Sequence, residues 1–267
     1  MFSLSVCLPL TCRSGNGRYA SNCVASCAPA AWKCARSSFV HQLRSLPVES
    51  KSEPWSSKLW LISCPMVPPM RNALSFPAGI LQPPFFDLDA PAAVNYASIG
   101  GTIGHEISHS FDDQGALFDA SGKLQNWWTT EDFAHFEAAG KQLIEQFDAY
   151  HPFPDIHVNG RQTLSENIAD VAGLADSLDA WRLALHGAAP PSVAGFSAEQ
   201  LFFLAHAQSW REKIREPELR RRIVIDGHAP AEYRADTVRN LDPWYEAFHV
   251  APGQRLYLAP PDRVRVW

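Results

Sequence analysis

The feature that most constrains this 267-residue chain is the pentapeptide His105-Glu106-Ile107-Ser108-His109. Two histidines four residues apart are separated by just over one helical turn, so on a helix both imidazoles project from one face and can contact one ion. Glu106 then lies beside them, and this arrangement is typical of helices that bind zinc. We therefore predict a helix that presents His105 and His109 to a metal ion.

A catalytic zinc site uses three protein ligands and a water, so a third ligand must come from elsewhere in the chain. Downstream candidates are Glu166, Asp170, His157 and His228. Glu166 and Asp170 share one helix face, where the first would ligate the ion and the second would accept a hydrogen bond from a ligating imidazole. Two alternatives stay open: the pair is a solvated acidic face, or Glu166 completes a capping box with Thr163.

From about residue 76, prolines and glycines recur at regular positions that indicate turns between elements. The sequence beyond this point predicts a mainly α fold with minor β. Predicted helices cover residues 96–111, 131–150, 164–186, 198–215 and 235–248, the last interrupted at Pro243. A short strand is predicted at 222–225. Thr129 or Thr130 is expected to cap the second helix, and Ser197 with Gln200 forms a predicted capping box for the fourth.

The first predicted helix contains three glycines, Gly100, Gly101 and Gly104. Each costs about 1 kcal/mol relative to alanine in a helix interior. We therefore expect close packing or function to compensate at these positions.

The first 66 residues differ from the rest, since they hold all six cysteines and only two acids, Glu49 and Glu53. They show no sustained helical or alternating pattern. Neither a disulfide framework nor a metal site is favoured there, because there is no C-x-x-C pair and no histidine before His41. Residues 1–10 lack the charged start of a secretory signal, and the apolar stretch 59–64 is too short to span a bilayer, so we predict no transmembrane helix.

Four separate motifs resemble one family when they are taken together. They are residues 76–86 (Phe-Pro-Ala-Gly-Ile-Leu-Gln-Pro-Pro-Phe-Phe), 104–113 (Gly-His-Glu-Ile-Ser-His-Ser-Phe-Asp-Asp), 165–170 (Ser-Glu-Asn-Ile-Ala-Asp) and 264–267 (Val-Arg-Val-Trp). In order and interval they resemble the neprilysin and endothelin-converting-enzyme family of zinc metallopeptidases, including its bacterial oligopeptidases. A peptidase of the thermolysin type shares the metal-ligand pattern but not the motifs at 76 and 226.

The resemblance implies a thermolysin-like (gluzincin) catalytic lobe over residues 68–267 with one Zn²⁺ per chain. It makes His105, His109 and Glu166 the zinc ligands and Glu106 the general base. Asp170 corresponds to the family's acid that orients the first histidine and is often described as a proton donor.

A late motif adds further expected site residues. Residues 226–230 (Asp-Gly-His-Ala-Pro), followed by Arg234, match the family, in which the histidine stabilises the oxyanion and the arginine holds the substrate backbone. Without the resemblance, His228 would be a loop histidine of no assigned role and Arg234 a surface charge. We expect the acids Asp113 and Asp226, which lie within these motifs, to contact the ligating and catalytic side chains rather than the metal ion.

Two departures from the family concern the N-terminal side. The family's Asn-Ala-x-Tyr edge segment, which pairs with the substrate backbone, has no counterpart at 59–72. The family's long helical region, which closes over the site, is replaced by about 70 dissimilar residues. We interpret residues 1–67 as a disordered extension or the product of a shifted reading frame, and expect the lobe to expose apolar surface that the missing region would cover.

The leading hypothesis is a zinc endopeptidase acting on short peptides, with an apolar residue preferred just after the scissile bond by family resemblance. The alternative is a truncated family fragment that binds zinc but catalyses little. A net charge of −5 does not favour nucleic acid as a partner. The family resemblance favours the periplasm or the cell exterior, although no signal peptide is predicted.

Overall fold

In a computed structural model, the described residues are 3–7, 73–119 and 122–266. The expectations for most of the cysteine-rich segment and for the altered edge segment at 59–72 lie outside these residues, as does Trp267. Strand β1, Ser3–Cys7, pairs antiparallel with β2, Ala73–Pro77, and Leu4 lies opposite Phe76. The first 66 residues show no sustained alternating pattern, so this pairing was not predicted.

The described chain is mainly helical with few strands, which confirms the predicted fold class. Its α-helices are α1 (Ala92–Asn95), α2 (Gly101–Ser108), α3 (Thr130–Asp148), α4 (Leu164–Ala184), α5 (Ala198–Ser209), α6 (Glu216–Ile225), α7 (Ala231–Ala235) and α8 (Asp242–Phe248). Short 3₁₀ turns occur at Ala78–Ile80, Gly115–Leu117, Asp236–Asn240 and Pro260–Asp262.

The helical region predicted at 96–111 begins at Ala92 and ends at Ser108 in the structure. From α1 the chain continues through a π-helical turn, Tyr96–Gly100, into α2, which ends at Ser108. Ser177 of α4 donates a hydrogen bond to the Tyr96 carbonyl, so a neighbouring helix supports the wider turn. Such π-turns occur often near functional sites.

Helix α4 is the centre of the fold. Most of its side chains are buried all around the helix, which is the pattern of a helix enclosed on every side. It contributes Leu178 and Trp181 to a core shared with α1 and α5, and Ile168 to a second core with α3. Its third contribution, Ala180, packs in a cluster with Ile107 of α2. The position and direction of α4 therefore set the geometry of the whole lobe.

Helices α2 and α4 cross at two glycines. A Cβ on Gly104 would lie 2.7 Å from the Gly173 carbonyl oxygen and 2.8 Å from its Cα, so no larger residue fits. A Cβ on Gly100 would lie 2.9 Å from the Ser177 hydroxyl oxygen, whereas a Cβ on Gly101 would have open space around it. Close packing thus compensates for two of the three helical glycines, and it brings the backbones of α2 and α4 together.

The predicted helix starts are confirmed for α3 and α5. Thr129 caps α3 by accepting a hydrogen bond from the Asp132 N–H at 3.1 Å. Ser197 and Gln200 form the predicted reciprocal capping box of α5. Helix α5 ends at Ser209 rather than at 215.

The strand predicted at 222–225 is wrong, because these residues form the last turn of α6. Pro217 lies in the first turn of that helix, where its missing N–H costs nothing. Glu218 then pairs with Arg222 at 3.0 Å, an i,i+4 contact that only a helix allows. The two apolar residues at the end, Val224 and Ile225, are exposed rather than buried in a sheet.

The last predicted helix, 235–248, is divided in a different way. Helix α7 ends at Ala235, the 3₁₀ turn Asp236–Asn240 follows, and α8 begins at Asp242. Pro243 lies in the first turn of α8, where it starts the helix rather than interrupting it.

Across the described ranges, no helix combines the length and apolar character needed to cross a membrane.

Candidate metal centre

Three side chains from α2 and α4 converge on one point. His105 Nε2 lies 3.1 Å from His109 Nε2 and 3.1 Å from Glu166 Oε2, and His109 Nε2 lies 3.6 Å from Glu166 Oε1. One ligand atom from each residue lies within 4.8 Å of the other two. The structure therefore brings together His105, His109 and Glu166, the three residues predicted as ligands.

A carboxylate contacts the Nδ1 atom of each histidine, on the side of the ring away from the convergence point. His105 Nδ1 lies 2.8 Å from Asp170 Oδ1, and His109 Nδ1 lies 2.7 Å from Asp112 Oδ2. An ionised carboxylate only accepts hydrogen bonds, so in each neutral ring the proton is on Nδ1. Both Nε2 atoms therefore turn lone pairs toward the point where the Glu166 carboxylate also lies.

This donor set fits a zinc ion. The two Nε2 atoms and the two Glu166 carboxylate oxygens face one another at 3.1–3.6 Å, and their lone pairs repel unless a cation lies among them. Two imidazole nitrogens and one carboxylate oxygen form a known set for catalytic zinc, which leaves a fourth position open. Carboxylates behind the ligating histidines fix the tautomer and raise ligand basicity, as zinc sites require.

Both alternatives considered for Glu166 and Asp170 are wrong. Their side chains are 13% and 3% exposed, so they do not form a solvated face. Thr163 makes no side-chain cap bond at the start of α4, and its hydroxyl donates to the Asn159 carbonyl at 3.1 Å. His157, another candidate for the third ligand, lies on an exposed loop beside His151.

Asp112 supports His109, and the sequence analysis did not select it. This residue is 2% exposed and also accepts hydrogen bonds from the Gln114 and Gly115 N–H groups and from the Ser165 hydroxyl. The neighbouring Asp113, which was selected, accepts a hydrogen bond from the Gln114 side chain at 3.3 Å. Burial and the Asp112 carboxylate raise the pKa of Asp113. The acid that contacts His109 is therefore Asp112, at 2.7 Å.

Arg234 forms a two-pronged pair with Asp170. Its Nε lies 2.7 Å from Asp170 Oδ2, and its second terminal nitrogen lies 2.8 Å from Oδ1. Burial alone would raise the pKa of Asp170, but the Arg234 guanidinium and the His105 contact outweigh burial and hold that pKa below its usual range. Asp170 is therefore an anion that joins His105 to Arg234.

His228 approaches the centre from the loop between α6 and α7. Its Nε2 lies 3.1 Å from Glu166 Oε2, and its Nδ1 lies 2.7 Å from Asp226 Oδ1. Asp226 also accepts the His228 backbone N–H at 3.1 Å, so one carboxylate fixes both the loop and the ring. Burial would raise the pKa of Glu166, but the surrounding His105, His228 and His109 outweigh it and hold that pKa below its usual range.

Glu106 lies on α2 between the two histidines in sequence and is half-buried. Its Oε2 atom is shielded from solvent. The residue is thus positioned on the helix that carries both imidazoles, with a carboxylate that is only partly solvated.

Two further residues near the centre were missed because neither belongs to a recognisable motif. The Trp210 ring stacks on the Arg234 guanidinium at 4.2 Å, and His206 is buried one turn before it on α5. Only the tertiary structure brings α5 to Arg234, which is 24 positions further along the chain than Trp210.

Curated relatives match this chain over the same lobe. It is 38% identical to a neutral endopeptidase of Lactobacillus helveticus over 225 residues, which is 82% of this chain and 33% of the relative. It is also 38% identical to the human membrane metallo-endopeptidase-like 1 over 219 residues, which is 78% of this chain and 28% of that protein. The chain thus spans about a third of the length of these relatives.

A solved structure shows the same fold. The inhibitor-bound zinc metalloprotease Zmp1 of Mycobacterium tuberculosis matches with a TM-score of 0.70 and 48% identity, covering 71% of this chain and 30% of that one. The family model for peptidase family M13 matches residues 67–264, which include every residue of the candidate metal centre. The chain belongs to peptidase family M13.

Proposed function

We propose that this chain carries the catalytic part of a zinc-dependent endopeptidase that hydrolyses peptide bonds in short peptides. The observation that carries the proposal is the convergence of the lone pairs of His105, His109 and Glu166, with a carboxylate behind each imidazole. These three residues would hold Zn²⁺. A zinc ion there would act as a Lewis acid that acidifies water and polarises the substrate carbonyl.

Glu106 is proposed as the general base. It takes a proton from the attacking water on one carboxylate oxygen and delivers that proton to the leaving amine nitrogen. Its position on the helix that carries both ligating imidazoles supports this role. The neighbouring Asp112 and Asp170 keep the imidazoles in the tautomers that leave Nε2 available for the metal.

His228 is proposed to stabilise the oxyanion that forms when the carbonyl is attacked. Asp226 accepts from its Nδ1 and orients the ring so that Nε2 faces the centre. Arg234 is proposed to bind the substrate backbone, since Asp170 orients its guanidinium without consuming all of its donors. The preference for an apolar residue after the scissile bond is proposed from family resemblance alone.

The test is cleavage of a quenched fluorogenic peptide by the purified chain, with zinc content measured on the same sample. We expect one zinc per chain and cleavage that a chelator abolishes and zinc restores. Glu106→Gln should keep the zinc and lower kcat about 10²- to 10⁴-fold. Glu137→Gln, which changes an exposed glutamate of α3, is the matched control and should leave kcat unchanged.

Two outcomes would contradict the proposal. Undiminished cleavage by Glu106→Gln would remove Glu106 as the base. Stoichiometric zinc with no cleavage by the wild-type chain would favour the alternative, a zinc-binding family fragment with impaired catalysis.

The periplasm or the cell exterior is the proposed compartment, and family resemblance is its only support. Fractionation of cells that produce the protein tests it, and recovery in the cytoplasm alone would contradict it.

A further inference from the structure

Gln162 lies in the turn that leads into α4, four positions before Glu166, and the proposed chemistry does not use it. Its side-chain Nε2 donates a hydrogen bond to the Asp226 backbone carbonyl at 2.6 Å and lies 3.4 Å from the Val224 carbonyl oxygen. Carbonyl oxygens only accept, so the nitrogen of the amide must face them. The side chain thus joins the start of the helix that carries Glu166 to the end of α6.

The two carbonyls belong to the place where the chain leaves α6, which ends at Ile225. The last carbonyls of a helix have no partner within the helix, so they must be satisfied from outside. Gln162 does so for Val224 and Asp226, just before the chain continues to His228. The amide therefore holds the backbone at the start of the loop that carries His228.

The turn that carries Gln162 is itself firmly held. The Gln162 N–H donates to Asn159 Oδ1 at 3.0 Å, and both the N–H and the hydroxyl of Thr163 donate to the Asn159 carbonyl at 3.1 Å. Gly160 donates its N–H to Asp148 of α3 at 2.7 Å, and a Cβ on Gly160 would lie 2.3 Å from a backbone carbonyl oxygen of that helix. The turn is therefore packed against α3 and can serve as a fixed support.

The contacts continue from Asp226 to the metal centre. One carboxylate oxygen of Asp226 accepts both the backbone N–H of His228 at 3.1 Å and its ring Nδ1 at 2.7 Å. The ring Nε2 then lies 3.1 Å from Glu166 Oε2. Because the Asp226 side chain orients the ring and Gln162 holds the Asp226 backbone, the contacts form one path from the turn before α4 to the His228 ring.

We propose that Gln162 is a positioning residue that ties the loop of Asp226 to the start of α4 and so sets where the His228 ring lies relative to Glu166. The proposal rests on the proposed function only for the role of His228 in stabilising the oxyanion. The positional effect itself can be measured without substrate.

The first measurement is solvent exchange of the His228 backbone N–H in the zinc-loaded protein, labelled with ¹⁵N-histidine and assigned by the loss of its NMR signal in His228→Ala. Gln162→Met keeps the length of the side chain but removes the donor. We expect exchange about three- to tenfold faster, the range that corresponds to one lost neutral hydrogen bond. Gln142→Met, which changes an exposed glutamine of α3, is the control and should leave the rate unchanged.

Two further variants separate the hydrogen bond from the bulk of the side chain. Gln162→Lys keeps a donor on a flexible chain, whereas Gln162→Glu keeps the shape of glutamine but presents a carboxylate, which only accepts. We expect Gln162→Lys to restore exchange toward the wild-type rate and Gln162→Glu to exchange at least as fast as Gln162→Met. An unchanged rate in Gln162→Met, or equal rates in the Lys and Glu variants, would overturn the proposal.

The second measurement is peptide cleavage. Gln162→Met should lower kcat about three- to tenfold and change KM and zinc content little, because the oxyanion forms only after the substrate is bound. A rise in KM at constant kcat would contradict this role.

A double-mutant cycle identifies the residue through which Gln162 acts. In a His228→Ala background, Gln162→Met should cause little further loss of kcat, because the ring that it positions is gone. Losses that multiply independently would show that Gln162 does not act through His228. A wild-type chain that does not cleave peptides would contradict the proposed function instead, and the exchange measurement would still decide the role of Gln162.

Discussion

Gly173 lies directly against Gly104, so closely that a Cβ on either residue would fall within 3 Å of the other's backbone. This crossing joins α2, which carries His105 and His109, to α4, which carries Glu166. The approach of two helix backbones therefore determines whether ligands that are 57 residues apart in sequence can share one ion.

Gly173→Ala should separate the two helices and weaken both folding and metal binding. The added methyl group would overlap backbone atoms of α2, and overpacking of this kind costs about 1–3 kcal/mol or more. Denaturant unfolding and zinc titration measure the two effects. Gly101→Ala is the control: Gly101 has open space, so this variant should gain up to about 1 kcal/mol of stability. Equal behaviour of the two variants would refute the steric account.

Asp112→Asn should lower zinc affinity about 10- to 100-fold, because an amide can no longer fix the His109 tautomer as a carboxylate does. Competition with a chromogenic chelator measures this affinity. Asp113→Asn is the matched neighbour and should keep an affinity close to that of the wild type. If Asp113→Asn has the larger effect, the assignment of Asp112 to His109 is wrong.

Arg234→Gln should make the zinc-free protein more sensitive to acid. The pKa of Asp170 is lower in the folded protein than its unfolded value of about 3.9, so its ionised form contributes stability above that pH. The contribution is lost as pH falls through the folded-state pKa. Without Arg234 that pKa rises, so the loss begins at higher pH, and breaking the buried pair costs about 3–5 kcal/mol at neutral pH.

Acid titration followed by circular dichroism tests this expectation. Arg255→Gln breaks an exposed pair with Glu232 and should cost no more than about 1 kcal/mol. An acid midpoint of Arg234→Gln equal to that of the wild type would show that Asp170 does not depend on Arg234.

Zinc should raise the melting temperature of the protein, and a chelator should lower it. The ligand atoms repel one another without a cation, so zinc binds the folded state in preference to the unfolded chain and at 100 times its Kd adds about 2.7 kcal/mol. His109→Ala should abolish the response, whereas His157→Ala, on an exposed loop, should retain it. A chelator response that survives in His109→Ala would place the metal elsewhere.

Local sequence patterns predicted the helical class and the starts of α3, α4 and α5. Capping by Thr129 and the box of Ser197 and Gln200 depend on residues only three positions apart, so they can be read without the fold. The strand predicted at 222–225 failed because its apolar residues are too few to distinguish a strand from a helix end. Pro217 in the first turn and the i,i+4 pair of Glu218 and Arg222 both favour the helix.

The sequence by itself determined that His105 and His109 share a helix face, because their spacing matches one helical turn. It also indicated Glu166 and Asp170 as a ligand and its support, through the same i,i+4 logic. Only the tertiary structure decided which acid supports His109 and which residues hold Arg234. Asp112 reaches His109 past the end of α2, and Trp210 at the end of α5 stacks on Arg234. Such contacts depend on how separate elements pack in space, which no local spacing records.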